Sequence, residues 1–379
     1  MRIDFATLAV IGWCLGQATH ASATLALPWL ALAGAAALAR GELREGPPDR
    51  VELAVLAFAA IYAFAAAFGM APARSLALSV PSLAFLLLAF VLRRARRPQL
   101  VRDAGRALLA LAAMQSLQVL VASRGHDAAA SVIAAADSAW LVVPNDIAWC
   151  ACLWPLWIAD AREDRRVALA CTVALPLQLV AFVALESRLA LATLALASLA
   201  AALALGPRAI VIAATTLATA GAALIAAGTA LATKPIASLA ARLELWSAAL
   251  AVFRGYPVLG VGPHNFVLAY PGAIDAGALT DPRLTPWPHS LPLEILAETG
   301  IIGLVAATAL VHCATTFRRA PTDRLGAATA WGVLTGATFL MLVEASLLRS
   351  WTWGLAAFLI AVATRDGGAR DGSIDGRQR

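Results

Sequence analysis

Residues 189–205 read LALATLALASLAAALAL, and residues 209–230 read AIVIAATTLATAGAALIAAGTA. Neither stretch contains a charged side chain, and each is close to the roughly 20 apolar residues that a bilayer-spanning helix needs. A single span must satisfy its backbone hydrogen bonds internally, because lipid offers no partners. Both stretches therefore predict α-helices that cross a membrane.

The composition extends this prediction to the whole chain. Of the 379 residues, 61% are apolar and 14% are charged, whereas a soluble domain is about 45–50% apolar and about 25% charged. This composition excludes a soluble enzyme, a disordered protein and a secreted disulfide scaffold. The net charge of +6 does not form a basic stripe on a soluble segment, so no nucleic-acid partner is expected.

Apolar runs of spanning length recur along the sequence. They lie at about 5–19, 22–39, 51–70, 75–92, 104–123, 144–159, 167–185, 189–205, 209–230, 293–315, 325–346 and 350–363. We therefore predict an all-α, polytopic integral membrane protein with about 12 transmembrane helices, built as a single membrane domain over residues 1–379, with membrane lipids as its surroundings.

The basic residues predict the orientation. When the loops are assigned alternately to two sides, 21 of the 29 Lys and Arg residues fall on one side. By the positive-inside rule that side is cytoplasmic. Both termini, including a tail at 364–379, are then cytoplasmic, and the long loop at 231–292 between spans nine and ten is external. Its aromatic residues predict an ordered, partly helical cap.

Within this loop, residues 239–253 predict an amphipathic helix. Its apolar residues follow the helical spacing i, i+4, i+7, i+11 and i+14, which predicts an apolar stripe made of Leu239, Leu243, Trp246, Leu250 and Phe253. The aromatic residues of the loop either settle on the membrane surface or pack over a cavity. Arg242 lies away from the centre of this stripe, so a position on a solvated face is the alternative to a binding role. The following segment, Tyr256-Pro-Val-Leu-Gly-Val-Gly-Pro263, predicts a tight bend, for which Gly260 and Gly262 provide the room.

Two further features lie on the external side. Arg188 follows Glu186 and Ser187 in a turn between two spans, where it is either an interfacial anchor or a functional residue. His289 lies in Pro288-His-Ser-Leu-Pro-Leu-Glu294, just before span ten, and is followed by Glu298-Thr-Gly300-Ile-Ile-Gly303. A lone histidine is more often structural than catalytic, but arginines on the same side favour a catalytic one.

These residue types suit one kind of chemistry. Arginine binds phosphate through a fixed fork of donors, and histidine can take a proton near neutral pH. Together they fit glycosyl transfer from a polyprenyl-pyrophosphate donor. The five cysteines lie in apolar runs without a Cys-x-x-Cys pair, so neither a disulfide nor a metal site is expected, and no cofactor is expected.

The order of these motifs resembles the O-antigen ligase and polymerase superfamily. The resemblance rests on Ser187-Arg188, Arg242-x3-Trp246, Pro257-x2-Gly260-x-Gly262 and His289 with Glu298-x-Gly300-x2-Gly303. It also includes Pro144-Asn145 at the start of span six. The resemblance covers about residues 140–310, and the remaining spans fit the family's twelve-helix plan.

The resemblance implies a metal-independent, inverting glycosyltransferase in the bacterial inner membrane, with its active site in the periplasm. The donor would be a glycan linked to undecaprenyl pyrophosphate. Arg188 and Arg242 would bind the pyrophosphate and His289 would be the catalytic base. His264, Asn265, Ser290, Glu298 and Trp246 would support them, while Gly260, Gly262, Gly300 and Gly303 would shape the loops.

The sequence departs from the family at one point. The family commonly has His-Asn at the catalytic position, whereas this chain has His289-Ser290 there and a His-Asn pair at His264-Asn265. The spacing to the Glu-x-Gly segment favours His289, and His264 remains the alternative base.

Three functional alternatives stay open. Within the family, the acceptor is the lipid A–core in a ligase, another lipid-linked repeat in a polymerase, and a protein hydroxyl in an O-oligosaccharyltransferase; a ligase is favoured. A transporter or lipid-handling protein would carry ionisable residues in mid-span, which are few here. A noncatalytic scaffold would not need the motifs.

Overall fold

A computed structural model describes residues 4–17, 22–97, 99–122, 146–226, 237–273, 287–316 and 324–364. Over these ranges the regular structure is helical, and one isolated β-bridge joins Leu43 to Ala95. The helices are α1 (Phe5–Gln17), α2 (Ser22–Ala39), α3 (Arg50–Phe68), α4 (Pro72–Arg94), α5 (Leu100–Ala122), a 3-10 helix (Asp146–Leu153), α6 (Trp154–Glu163), α7 (Arg165–Ala184), α8 (Arg188–Leu205), α9 (Pro207–Ala226), α10 (Ala237–Gly255), α11 (Phe266–Ala273), α12 (Leu291–Thr316), α13 (Arg324–Val343) and α14 (Ser350–Thr364).

Six helices in the described ranges are long and apolar enough to cross a membrane, namely α3, α5, α7, α8, α12 and α13. This confirms the predicted all-α polytopic fold. The run predicted as span six is a 3-10 helix followed by the short α6, which has Pro155 at its start. Proline lacks the amide that a continuous helix would need there. Of the tail predicted at 364–379, Thr364 ends α14, and residues 365–379 lie outside the described residues.

One end of the bundle is rich in arginine. Asp49 caps α3, accepting a hydrogen bond from the Glu52 amide at 2.9 Å. Arg93 in the last turn of α4 pairs with Asp49 at 2.6 Å, and Arg94 pairs with Glu52 at 2.6 Å. These pairs join α3 to α4 at this arginine-rich end, and α3 then runs to Phe68 at the opposite end.

The tight packing of α8 against α13 defines the opposite end. A Cβ built on Gly332 would lie 2.7 Å from the Ala197 carbonyl oxygen, and one built on Gly336 would lie 3.0 Å from the Ala197 Cβ. Glycine allows this close approach of two membrane helices. Gly332 also faces Ala201, so the pair is antiparallel. The start of α8 at Arg188 and the end of α13 next to Glu344 therefore lie together, at what we call the site end.

Residues 237–273 form a cap at the site end. Its own hydrophobic cluster joins α10 and α11 to Ala297 of α12. Helix α10 confirms the helix predicted over 239–253. The residues of its predicted apolar stripe whose side chains are described are not its buried residues. Leu243 and Leu250 are 54% and 38% exposed, while the buried residues are Leu245, Ala248, Ala249 and Val252. The two alanines on this face let α10 approach α12 closely, and the larger leucines point outward.

Candidate functional site

The centre of the site end is the carboxylate of Glu344, which follows α13 directly. One oxygen accepts a hydrogen bond from Arg242 Nη2 of α10 at 2.6 Å, and the other lies 3.3 Å from Nδ1 of His289. The Glu344 side chain is 5% exposed, and those of Arg242 and His289 are 19% and 21% exposed. Arg242 and His289, which the sequence predicts as site residues, thus both contact Glu344, which the sequence analysis did not predict as one.

Two more side chains flank His289. The ring of Trp287 lies 5.1 Å from the His289 ring, and the guanidinium of Arg349 lies 4.6 Å from the centre of the Trp287 ring. The turn that follows α13 therefore contributes Glu344 on one side of the histidine and Arg349 behind the tryptophan. This packing restricts the orientation of the imidazole.

Glu294 of α12 holds the turn that carries Glu344. Its Oε1 accepts hydrogen bonds from the Ser346 hydroxyl and the Leu347 amide, both at 3.0 Å. The Glu294 side chain is 1% exposed. A buried carboxylate with two donors fixes the backbone of this turn, so Glu294 positions Glu344 without touching it.

Glu298, one turn further along α12, holds a second segment. It accepts hydrogen bonds from the backbone amides of His264 at 2.8 Å and Phe266 at 3.0 Å, at the start of α11. A carboxylate at a helix N-terminus satisfies amides that have no partner within the helix. The structure thus gives Glu298 a positioning contact with the His264-Asn265 segment.

The bend at residues 256–263 packs against α12 where that helix is interrupted. The interruption is at Gly300, whose φ is 65° and ψ is −165°. After the break, the Ile301 amide of α12 donates to the Pro257 carbonyl at 2.9 Å. Before the break, the Ala297 carbonyl of α12 accepts from the Val261 amide at 3.0 Å. Two backbones meet here: a Cβ on Gly260 would lie 2.3 Å from the Glu298 carbonyl carbon. The bend therefore replaces hydrogen bonds that the broken helix lacks.

The neighbouring glycines differ in what they contact. Gly262 has φ 91°, and a Cβ there would lie 2.7 Å from Gly69 Cα at the end of α3. Gly303 lies in α12, where a Cβ would meet the Thr299 side chain of the preceding turn. Gly260, Gly262 and Gly300 thus join the cap to the bundle, while Gly303 makes room within α12.

His264 is buried away from the carboxylate of Glu344. It is 1% exposed, and its Nε2 lies 3.2 Å from the Tyr62 hydroxyl of α3. Burial, assisted by the charge of Arg74, lowers the pKa of His264 to about 4. The neighbouring Asn265 is also buried and donates to the Val261 carbonyl at 3.0 Å. Both residues hold the bend in place.

Backbone strain is concentrated in these segments. In the described ranges, the non-glycine residues with positive φ are Glu186 at 51°, His264 at 64° and His289 at 54°. Such conformations are uncommon outside glycine and persist where the surroundings enforce them. Glu186 precedes Arg188, His264 directly follows the bend at 256–263, and His289 is the candidate base, so the strain lies at or next to the segments singled out in the sequence.

The remaining predicted residues lie nearby. Arg188 begins α8 at the site end, after Ser187, whose hydroxyl caps that helix by accepting from the Ala190 amide at 3.3 Å. Ser290 is buried just before α12. Trp246 lies one helical turn after Arg242 in α10. Pro144 and Asn145 lie outside the described residues.

Electrostatics keep Glu344 ionised. Burial alone would raise the pKa of this carboxyl, but the hydrogen bond with His289 and the charge of Arg242 outweigh burial and lower the pKa below its usual value. A carboxylate that accepts from Nδ1 of His289 leaves Nε2 to receive a proton. Among the described residues, no group of three or more His, Cys, Asp or Glu side chains is placed to hold a metal ion.

Sequence reasoning did not select Glu344 or Glu294 as site residues. Glu344 lies at the end of a predicted span, and Glu294 lies next to the histidine motif. A carboxylate within or beside an apolar run is costly unless it is paired. The position of Glu344 and Glu294 in such runs was therefore the sequence feature that could have indicated a partner for each. Their partners come from distant parts of the chain, which spacing alone does not reveal.

A comparison with protein families supports the resemblance predicted from the motifs. Residues 171–308 match the family model described as O-antigen ligase, which confirms the resemblance stated from the motifs. The matched segment contains Arg188, Arg242 and His289 and ends before Glu344. No curated protein matches the chain.

Proposed function

Because residues 171–308 match the family model described as O-antigen ligase, we propose that this membrane protein transfers a glycan from a polyprenyl-pyrophosphate carrier to an acceptor hydroxyl. The family consists of glycan-transferring membrane enzymes of the ligase and polymerase type. The donor of this chain would be a glycan on undecaprenyl pyrophosphate. The reaction would take place at the periplasmic face of the inner membrane, where the positive-inside rule puts the site end.

The observation that carries this proposal is the joint contact of Arg242 and His289 with Glu344. Glycosyl transfer needs positive charge at the leaving pyrophosphate and a base at the attacking hydroxyl. Here both groups come from different elements and converge on one carboxylate. A noncatalytic scaffold has no need for a histidine oriented in this way.

Arginine would hold the donor. Among the described residues, Arg242 bonds Glu344 through Nη2, and the guanidinium has further N–H donors that fit phosphate oxygens. Arg188 lies at the same end of the α8–α13 pair. Two guanidinium groups at the membrane surface would offset the charge that develops on the pyrophosphate as it leaves, without requiring a metal ion.

His289 would act as the base. With Nδ1–H directed at Glu344, Nε2 can accept the proton of the acceptor hydroxyl. The hydroxyl oxygen then bonds to the anomeric carbon while the bond from that carbon to the pyrophosphate oxygen breaks. A single displacement of this kind inverts the anomeric configuration. The carrier lipid departs as its pyrophosphate.

His289 fits this role better than His264. A side chain that is 1% exposed and hydrogen-bonded to Tyr62 is not reachable by a sugar hydroxyl, whereas the His289 side chain is 21% exposed beside Arg242 and Glu344. We assign the base to His289 and a positioning role to His264. The acceptor that we favour is the lipid A–core sugar of an O-antigen ligase.

The lipopolysaccharide pattern of a strain that lacks this gene tests the proposal. Loss of all O-chain bands, with polymer remaining on the carrier, is the expected result. Complementation with the wild-type gene should restore the bands, and complementation with His289→Gln should not. Core that carries single repeats would identify a polymerase instead. An unchanged pattern would contradict both, leaving a protein acceptor to be tested by glycoprotein staining.

A further inference from the structure

Helix α10 presents three different faces. Successive residues are about 100° apart around an α-helix, so Leu245, Ala248, Ala249 and Val252 form an inner face, which is buried against the cap and α12. A polar face carries Glu244, Ser247 and Arg254. Between the two lies a third set, which we call the apolar outer face: Leu243, Trp246, Leu250 and Phe253.

The two leucines of the apolar outer face are not covered by the described part of the protein. Leu243 and Leu250 are 54% and 38% exposed, and Trp246 and Phe253 are half-buried. If this side of α10 met water, Leu243 and Leu250 would expose apolar surface without any contact to stabilise it. Large apolar residues on one side and charged residues on another are typical of helices that lie in a membrane interface.

Two contacts, one within α10 and one after it, lie at the level where spans end. In the second turn of α10, Arg242 bonds Glu344, the first residue after α13. Six residues after α10 ends, the Val261 carbonyl accepts a hydrogen bond from the Met70 amide at 2.8 Å, two residues after α3 ends. A helix held at this level both in its second turn and by the loop that follows it runs along the membrane surface rather than away from it.

The apolar outer face also continues the lipid-facing surface of a span. The loop after α10 is hydrogen-bonded to Ile301 of α12 through Pro257. Ile301 and Val305 of this span are 44% and 61% exposed, which is normal for side chains that face lipid. Beside them, Tyr256 and Val258 of the loop are 47% and 56% exposed. Tyrosine and tryptophan are enriched at membrane interfaces.

From these contacts we propose that the apolar outer face of α10 inserts into the lipid leaflet at the site end. Leu243, Trp246, Leu250 and Phe253 contact acyl chains, and Ser247 and Arg254 face water. Arg242 then lies on the border between the inner and the apolar outer faces, at the level of the lipid headgroups. An anionic group attached to a membrane lipid would reach Arg242 without leaving the membrane surface.

Spin labels on reconstituted protein test this proposal. The full chain, with Cys14 and Cys313 changed to Ala, is labelled at Leu243→Cys or Leu250→Cys, and at Ser247→Cys as the matched control from the polar face. Each protein is placed in vesicles of phosphatidylethanolamine and phosphatidylglycerol. Collisions with oxygen, which concentrates in lipid, are compared with collisions with a water-soluble nickel chelate.

We expect a higher ratio of oxygen to nickel collisions at 243 and 250 than at 247. Equal ratios at all three positions would show that this side meets water and would overturn the proposal. Low collision rates with both reagents at 243 and 250 would show that protein covers the face, which would also overturn it. The vesicles contain no glycan donor, so the result does not depend on the reaction proposed above.

Discussion

Arg242 and Glu344 are separated by 102 positions in the chain, yet their side chains form an ion pair of 2.6 Å at the site end of the bundle. The pair joins the cap to the end of α13, next to His289. Because the carboxylate contacts both the phosphate-binding candidate and the base candidate, it links the two parts of the proposed reaction.

Glu344→Gln should lower glycan transfer by at least about 10-fold, the smallest loss found for carboxylates that orient metal-bound histidines; the corresponding change beside the histidine of a serine protease triad costs about 10⁴-fold. The amide retains the size of the side chain but loses the charge that orients His289 and holds Arg242. The measurement is the initial rate of transfer by purified enzyme. Glu163→Gln, at an exposed carboxylate paired with Arg102 at the other end, is the matched control. Equal transfer rates for Glu344→Gln and Glu163→Gln would show that Glu344 does not contribute to the reaction.

Arg242→Lys should raise the KM for the lipid-linked donor more than it lowers kcat. A lysine keeps the positive charge but lacks the planar fork that binds two phosphate oxygens. Arg254→Lys, on the exposed polar face of the same helix, should leave both constants unchanged. If the two variants behave alike, the guanidinium of Arg242 does not contact the donor.

The sequence was sufficient to predict the helical membrane fold and the end of the bundle at which Arg188, Arg242 and His289 lie. Apolar runs and loop charges are local signals, and they carry this information. The buried face of α10 could not be predicted, because hydrophobicity alone points to Leu243 and Leu250 rather than to Ala248 and Ala249, which are the residues that pack. Close helix packing depends on small residues, and a hydrophobic stripe does not reveal that preference.

Gly260→Ala should destabilise the protein by more than the roughly 1 kcal/mol that a left-handed conformation costs a non-glycine residue. Its φ is 65°, and the added Cβ would lie 2.3 Å from the Glu298 carbonyl carbon. The measurement is the melting temperature in detergent. Gly255→Ala, where no atom lies within 4 Å of the added Cβ, should melt close to the wild type. An unchanged melting temperature for Gly260→Ala would contradict the docking of the bend into α12.

His264 should make stability depend on pH in a defined window. Burial, with the charge of Arg74, lowers its pKa from 6.5 to about 4. Between these values the unfolded chain binds a proton that the folded chain does not, so stability is lost as the pH falls from 6.5 to 4. The loss is at most about 1.4 kcal/mol per pH unit. His264→Gln should show a shallower decline of melting temperature over this window, and an identical slope would contradict a buried, neutral His264.

The supporting contacts of the site could not be predicted from sequence. Glu294 and Glu298 lie one turn apart on α12, but one holds the turn after α13 and the other holds the start of α11. Which distant amide each carboxylate meets depends on how the cap folds over α12. The break at Gly300 lets residues 257–262 pack beside Glu298, and a glycine inside an apolar run does not by itself indicate a break.

The most direct test of the account is glycan transfer by purified protein in lipid vesicles, comparing His289→Ala with His264→Ala at equal protein and donor concentrations. With His289 as the base, His289→Ala should bind the lipid-linked donor but form no product above background. His264→Ala, in protein that remains folded, should retain measurable transfer, because that ring supports the bend and does not reach the acceptor. Product formation by His289→Ala, together with its loss in folded His264→Ala, would contradict the central claim and assign the base to His264.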